Sequence, residues 1–164
     1  MPGKSQSYSD AVLNVLRGTS IAGVSPYLGL FSVAPADDSS AGTELAGNGY
    51  ARQAVVFGAP VTDTGNFRKI ANTNNIQFGP AAADWPQAVA FGVFDAQSSG
   101  NLLYWNTLAT PKTIQQGDFG QFALASISTR NSSVTGMGLL SDEVTTQANW
   151  MISFLSPNQG IGVG

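Results

Sequence analysis

The chain has no cysteine and no histidine. Their absence removes thiolate and imidazole zinc sites, Ser-His-Asp and Cys-His nucleophile pairs, a histidine general base and every disulfide. Charge is scarce as well: Asp, Glu, Lys and Arg make up 10% of the 164 residues, against about a quarter in ordinary soluble domains. The net charge is -3, and the seven basic residues are spread from Lys4 to Arg130 with Arg68-Lys69 the only basic pair, which argues against nucleic acid as a partner. No run of apolar residues is long enough to span a bilayer, and the sequence up to Asp10 lacks the apolar stretch of a signal peptide. No membrane partner is expected, and synthesis in the cytoplasm is.

What the chain does have is 43% hydrophobic residues, 19 Gly, 8 Pro and many neutral polar residues, in a length that suits one domain with one core. A surface poor in charge offers little opposition to packing against another protein, so a subunit that assembles with copies of itself is expected. Ser7, followed by Asp10 three residues on, reads as a capping box for a helix from Tyr8 to Arg17, which Gly18 stops. Strand-like segments then run over Tyr27 to Val33, Tyr50 to Phe57, Phe67 to Ala71, Ile76 to Phe78, Ala88 to Phe94, Leu102 to Leu108, Lys112 to Gln115 and Phe119 to Thr129. Turn clusters such as Asn72-Thr-Asn-Asn75 and Ser98-Ser-Gly-Asn101 separate them, and Ala36 to Gly49 reads as a long loop. With no crossover helices, the expected fold is all-β: an antiparallel β-sandwich of jelly-roll type with one short N-terminal helix. Residues 1–130 would form this body. Residues 131–164 would be an extension with one edge strand at Trp150 to Leu155 and a Gly-rich tail, and Trp150, Ile161 and Val163 are its candidate partner contacts.

Without histidine, a hydrolase here would need paired carboxylates. Asp37-Asp38 is the obvious pair, yet adjacent acids in a Ser/Gly-rich loop after Pro35 are better read as a solvated turn. Asp84 beside Trp85 and Pro86 reads better as a loop anchor, and Asp95 as the start of a turn to Asn101 whose backbone N-H groups it accepts. Asp37, Asp38 and Glu44 lack the alternating spacing of an EF-hand, and no helix follows Gly160-Ile-Gly-Val-Gly164 to hold phosphate. Trp85, Tyr104, Trp105 and Trp150 read as core or cross-strand aromatics before they read as a sugar platform. No catalytic residue, metal site or cofactor is expected.

Three stretches carry a resemblance: Thr43 to Phe57 (TELAGNGYARQAVVF), Ile76 to Trp85 (IQFGPAAADW), and Phe91 to Trp105 (FGVFDAQSSGNLLYW) followed by Thr110 to Ile114 (TPKTI) and Gly117-Asp118. In order and spacing they resemble a family of small tailed-bacteriophage structural proteins commonly labelled tail fibre proteins, with related jelly-roll subunits that serve as capsid cement. Glu44, Tyr50 and Arg52 match recurring polar positions of that pattern; Gly47, Gly49, Gly92 and Gly100 match its turns or close packings, and Asp95 lies within it. The resemblance implies a non-enzymatic virion component. A single compact domain without repeats or a shaft favours a capsid decoration protein that bridges major capsid protein subunits. The alternative is a tail fibre or tail-associated subunit, for which a host surface glycan would be a partner; a carbohydrate-binding module or glycan hydrolase is more distant.

Overall fold

The structure, a computed structural model, describes residues 3–64, 67–131 and 152–155. Among the described residues it is an antiparallel β-protein with one helix. Strands β1 (Gly3–Lys4), β2 (Tyr27–Val33), β3 (Thr43–Glu44), β4 (Gln53–Ala54), β8 (Ala88–Phe94) and β9 (Leu102–Lys112) form a central six-stranded sheet in the order β1-β9-β8-β2-β3, with β4 also paired to β2. Two three-stranded sheets accompany it. One contains β7 (Ile76–Phe78), β10 (Phe119–Phe122) and β12 (Ile152–Leu155); the other contains β5 (Val61–Thr62), β6 (Arg68–Ala71) and β11 (Ser128–Asn131).

The centre of the sheet follows from the two most apolar runs of the sequence. In the β2–β8 ladder Leu28 lies opposite Val93 and Leu30 opposite Phe91, while Gly29 lies opposite Gly92 and Phe31 opposite Ala90. Successive side chains alternate between faces. One face therefore carries Leu28, Leu30, Phe91, Val93 and Leu103 into the main core, where Ile76, Phe78 and Phe122 of the second sheet and Ile127 meet them. The other carries Phe31, Ala90, Phe94, Leu102 and Trp105 into a smaller cluster. Each large apolar side chain so buried contributes about 1.5–3 kcal/mol, which makes the face of the sheet the main source of stability.

The helix α1 spans Gln6–Val15, two residues earlier than the apolar spacing suggests. Its N-cap is Ser5, not Ser7: the Ser5 hydroxyl accepts from the Tyr8 N-H at 3.3 Å and donates to the Leu102 carbonyl at 2.5 Å, fully buried. Attachment to β9 thus selects the cap, a long-range contact that local sequence does not encode. Ser5→Ala removes both bonds and should cost about 1–2 kcal/mol, read as a shift in the urea midpoint. No residue of α1 is fully buried; Tyr8 packs edge-on to Tyr104 with ring centroids 5.2 Å apart.

Four of the expected strands differ from the sequence reading. Tyr50 to Phe57 yields only β4 and one bridge between Phe57 and Asn72. Leu102 to Lys112 is continuous where a break was expected, and the strand expected at Lys112 to Gln115 is reduced to Lys112, the end of β9; five residue steps of β9 from Thr107 to Lys112 match two steps of β8 from Ala90 to Ala88. That irregular stretch absorbs Pro111, as bulged strands do. Phe119 to Thr129 divides into β10 and β11, which join different sheets. The division lies at residues 123–127, where Ala125 adopts φ 58°. The strand expected at Trp150 to Leu155 is present as Ile152–Leu155, antiparallel to β10 with Ile152 opposite Phe122 and Leu155 opposite Phe119.

Candidate functional site

The polar residues of the resemblance converge on one edge of the central sheet. Strands β3 and β4 pair with β2 at its two ends, Phe31 and Val33 on one side and Tyr27 and Leu28 on the other, which leaves the Leu30 N-H between them. Tyr50 closes that gap. Its hydroxyl accepts from the Leu30 N-H at 2.8 Å and donates to Glu44 Oε1 at 2.9 Å. Arg52 takes the same carboxylate in a two-pronged grip, Nε to Oε1 at 2.8 Å and Nη2 to Oε2 at 2.7 Å. Its guanidinium carbon lies 3.3 Å from the centre of the Phe94 ring. The remaining nitrogen, Nη1, donates to the carbonyls of Ala96 at 3.0 Å and Ser99 at 2.6 Å. Arg52 thereby ties the β8–β9 hairpin loop to β3.

Asp95 and Gly100 shape that loop. Asp95 accepts from the Asn101 N-H at 2.7 Å and the Asn101 side-chain amide at 2.9 Å, the turn that the sequence suggests. Gly100 has φ +72°, and a Cβ there would run into the Asp95 carboxylate. Gly29 leaves the sheet bare beneath the network, and Gly92, opposite it in the ladder, makes room for the Leu102 and Phe31 side chains. A Cβ on Gly29 would come within 2.9 Å of Glu44 Oε1 and of the Phe94 ring, and one on Gly92 within 2.9 Å of the Phe31 ring. Gly29 is a site residue that the sequence reading missed, although a glycine inside an apolar strand signals a close approach.

Gly47 and Gly49 bring Tyr50 to its place. Residues 47–49 all have positive φ (73°, 51° and 81°), and the Tyr50 N-H closes the turn onto the Gly47 carbonyl at 2.9 Å. The Asn48 carbonyl then accepts from Trp85 Nε1 at 2.9 Å and from the Ala82 N-H at 2.8 Å. The buried Trp85 ring stands edge-on to Tyr50 at 5.5 Å, and the Phe78 ring stacks on Tyr50 at 5.9 Å. A Cβ on Gly49 would meet the Pro80 carbonyl oxygen at 2.9 Å. Gly49→Ala combines that collision with a left-handed backbone and should cost about 2–3 kcal/mol, measured as loss of thermal stability.

Burial pushes the Tyr50 phenol far above its ordinary 10.0, and the neighbouring Glu44 charge adds to the shift while the Leu30 N-H opposes it. The phenol stays protonated as a hydrogen-bond donor. Glu44 accepts three hydrogen bonds from these partners. The chemistry available to the arrangement is a clamp that holds three chain segments together.

The other candidate acids are engaged separately. Asp37 accepts from Trp105 Nε1 at 3.1 Å, and its carbonyl accepts from the Gln6 N-H. Asp38 accepts from the Ser40 hydroxyl and N-H, which lower its pKa from 3.8 in the solvated turn that the sequence suggests. Asp84 accepts from the Gln116 N-H at 2.8 Å and anchors its loop. Trp85 and Trp105 are buried. Trp150, Ile161 and Val163 lie outside the described residues.

Residues 3–130 match the family described as podophage GP4 fiber I protein gp80. The chain belongs to this family. No curated protein matches it. The fiber I match spans the three stretches of the resemblance and every residue of the clamp, and it makes the chain a phage virion component. Strand β12 and the residues around it fall beyond the matched span.

Proposed function

We propose that this fiber I family protein is a non-enzymatic structural subunit of the tail or its fibres, built to carry load in an assembly with copies of itself. The observation that carries the reading is the family match over residues 3–130. It favours a fibre role over the capsid decoration role to which low charge and the lack of repeats point. The clamp supports a structural role: its carboxylate, phenol and guanidinium satisfy one another, the backbone of β2 and the backbone of the β8–β9 loop, the use expected of groups that fix shape. Attachment to copies of itself and to tail proteins would use the neutral surface, where little desolvation of charge opposes contact.

Fractionation of disrupted particles tests this. The chain should sediment with tail and fibre complexes and be missing from tail-less heads. Recovery with the heads, in proportion to the major capsid protein, would support the decoration role instead.

A further inference from the structure

An open groove of about 660 Å³ lies between the core face of the central sheet and the β6–β11 pair. Val24, Val56, Val93, Leu103 and Ile127 contribute to its lining, and no charged side chain does. Val56 is 55% exposed there. Ile70, Tyr104 and Thr129 also line a second hollow of about 210 Å³, so the two adjoin. The second has the opposite character: Arg68, Lys69 and Arg130 surround it. Three of the seven basic residues of a chain with net charge -3 are thus gathered at one end of an apolar groove.

This concentration opposes sheet formation. Lys69 lies directly opposite Arg130 across the β6–β11 ladder, a like-charge placement that destabilises antiparallel pairs. Asp63, 3.4 Å from Arg130 Nε, offsets one charge. Arg68 is held by neutral acceptors, the Thr62 hydroxyl and the Pro60 carbonyl, and Lys69 makes no ion pair among the described residues. An anionic group would relieve the excess. The groove also offers hydroxyls: those of Tyr8, Ser25, Tyr27 and Thr129 line it without a hydrogen-bond partner among the described residues.

We propose that the groove and its basic end dock an extended segment of a partner protein in which apolar side chains at alternate positions are followed by acidic residues. The apolar side chains fill the uncharged part, the hydroxyls meet backbone amides of the segment, and the acids reach Arg68, Lys69 and Arg130. The charge pattern fixes the direction of docking, because an acidic segment is repelled by a net negative surface elsewhere.

The test uses the full chain and capped heptapeptides with two leucines at alternate positions and two acidic residues at varied spacing, titrated by calorimetry and by NMR. At least one spacing should bind with a dissociation constant below about 1 mM. Replacing its acids by Asn and Gln should weaken binding about tenfold, as should Val56→Asp, and Lys69→Glu or the milder Lys69→Gln should weaken it severalfold. Melting curves of the variants establish that each is folded. Failure of every spacing to bind, equal binding by the neutral peptides, or full binding by the folded Val56→Asp chain would each overturn the proposal. None of these outcomes depends on where the protein sits on the particle.

Discussion

Arg52→Ala is expected to lower stability by about 3–5 kcal/mol, a fall in melting temperature on the order of 10 °C. The reason is what the truncation leaves behind. Arg52 is 10% exposed and Glu44 25%, so the carboxylate loses its counter-charge in a site that water reaches poorly. The Ala96 and Ser99 carbonyls lose their donor at the same time, and the Phe94 face loses its cover. The cost belongs mainly to the orphaned charge, so replacing both partners together, Glu44→Leu with Arg52→Met, should recover a large part of it. Thermal unfolding of the two single variants and the double closes the cycle. A loss below about 1 kcal/mol for Arg52→Ala would place the pair among ordinary surface ion pairs and remove the clamp from the account.

The second large effect concerns Asn72, which is 1% exposed and whose every polar group is used. Its side-chain amide donates to the Asn74 carbonyl at 2.7 Å and the Ala123 carbonyl at 2.9 Å, and its side-chain oxygen accepts from the Ile127 N-H at 2.8 Å. Its backbone N-H donates to the Ile127 carbonyl, and its carbonyl accepts from the Ala125 N-H. These bonds hold the turn that separates β10 from β11. Asn72→Ala strands three buried groups and should cost about 3–4 kcal/mol, measured by urea unfolding. Asn72→Asp keeps the acceptor for Ile127 but loses both donors and buries a charge, so it should be at least as damaging at neutral pH. An Asn72→Asp chain as stable as the parent would contradict this role.

The legible part of the fold was the part dictated by hydrophobic pattern. Tyr27–Val33, Ile76–Phe78 and Ala88–Phe94 have the bounds that the sequence suggests, because each is a β-rich run closed by Pro, Gly or Asp. What sequence alone missed was fixed from a distance. Nothing in Ala123-Leu-Ala-Ser-Ile127 marks a turn; Asn72, some fifty residues earlier, imposes it. Ser5 replaces Ser7 as the helix cap because Leu102 lies within its reach. The strand Gly3–Lys4 exists only as a partner for Tyr104 and Trp105.

For the clamp, the resemblance supplied Glu44, Tyr50 and Arg52 as a set without saying what they do. Their mutual contacts depend on Gly29 being bare and on the Leu30 N-H lying between two short strands, which only the paired sheet displays. Asp95 was the exception: an acid that ends an apolar strand before Ser-Ser-Gly-Asn carries its turn chemistry in the local sequence.

Electron microscopy of intact particles, with a label on this chain through an exposed loop, is the most direct test of a fibre role. Label confined to the tail and its fibres is the expected result; label distributed over the whole shell would contradict a fibre role.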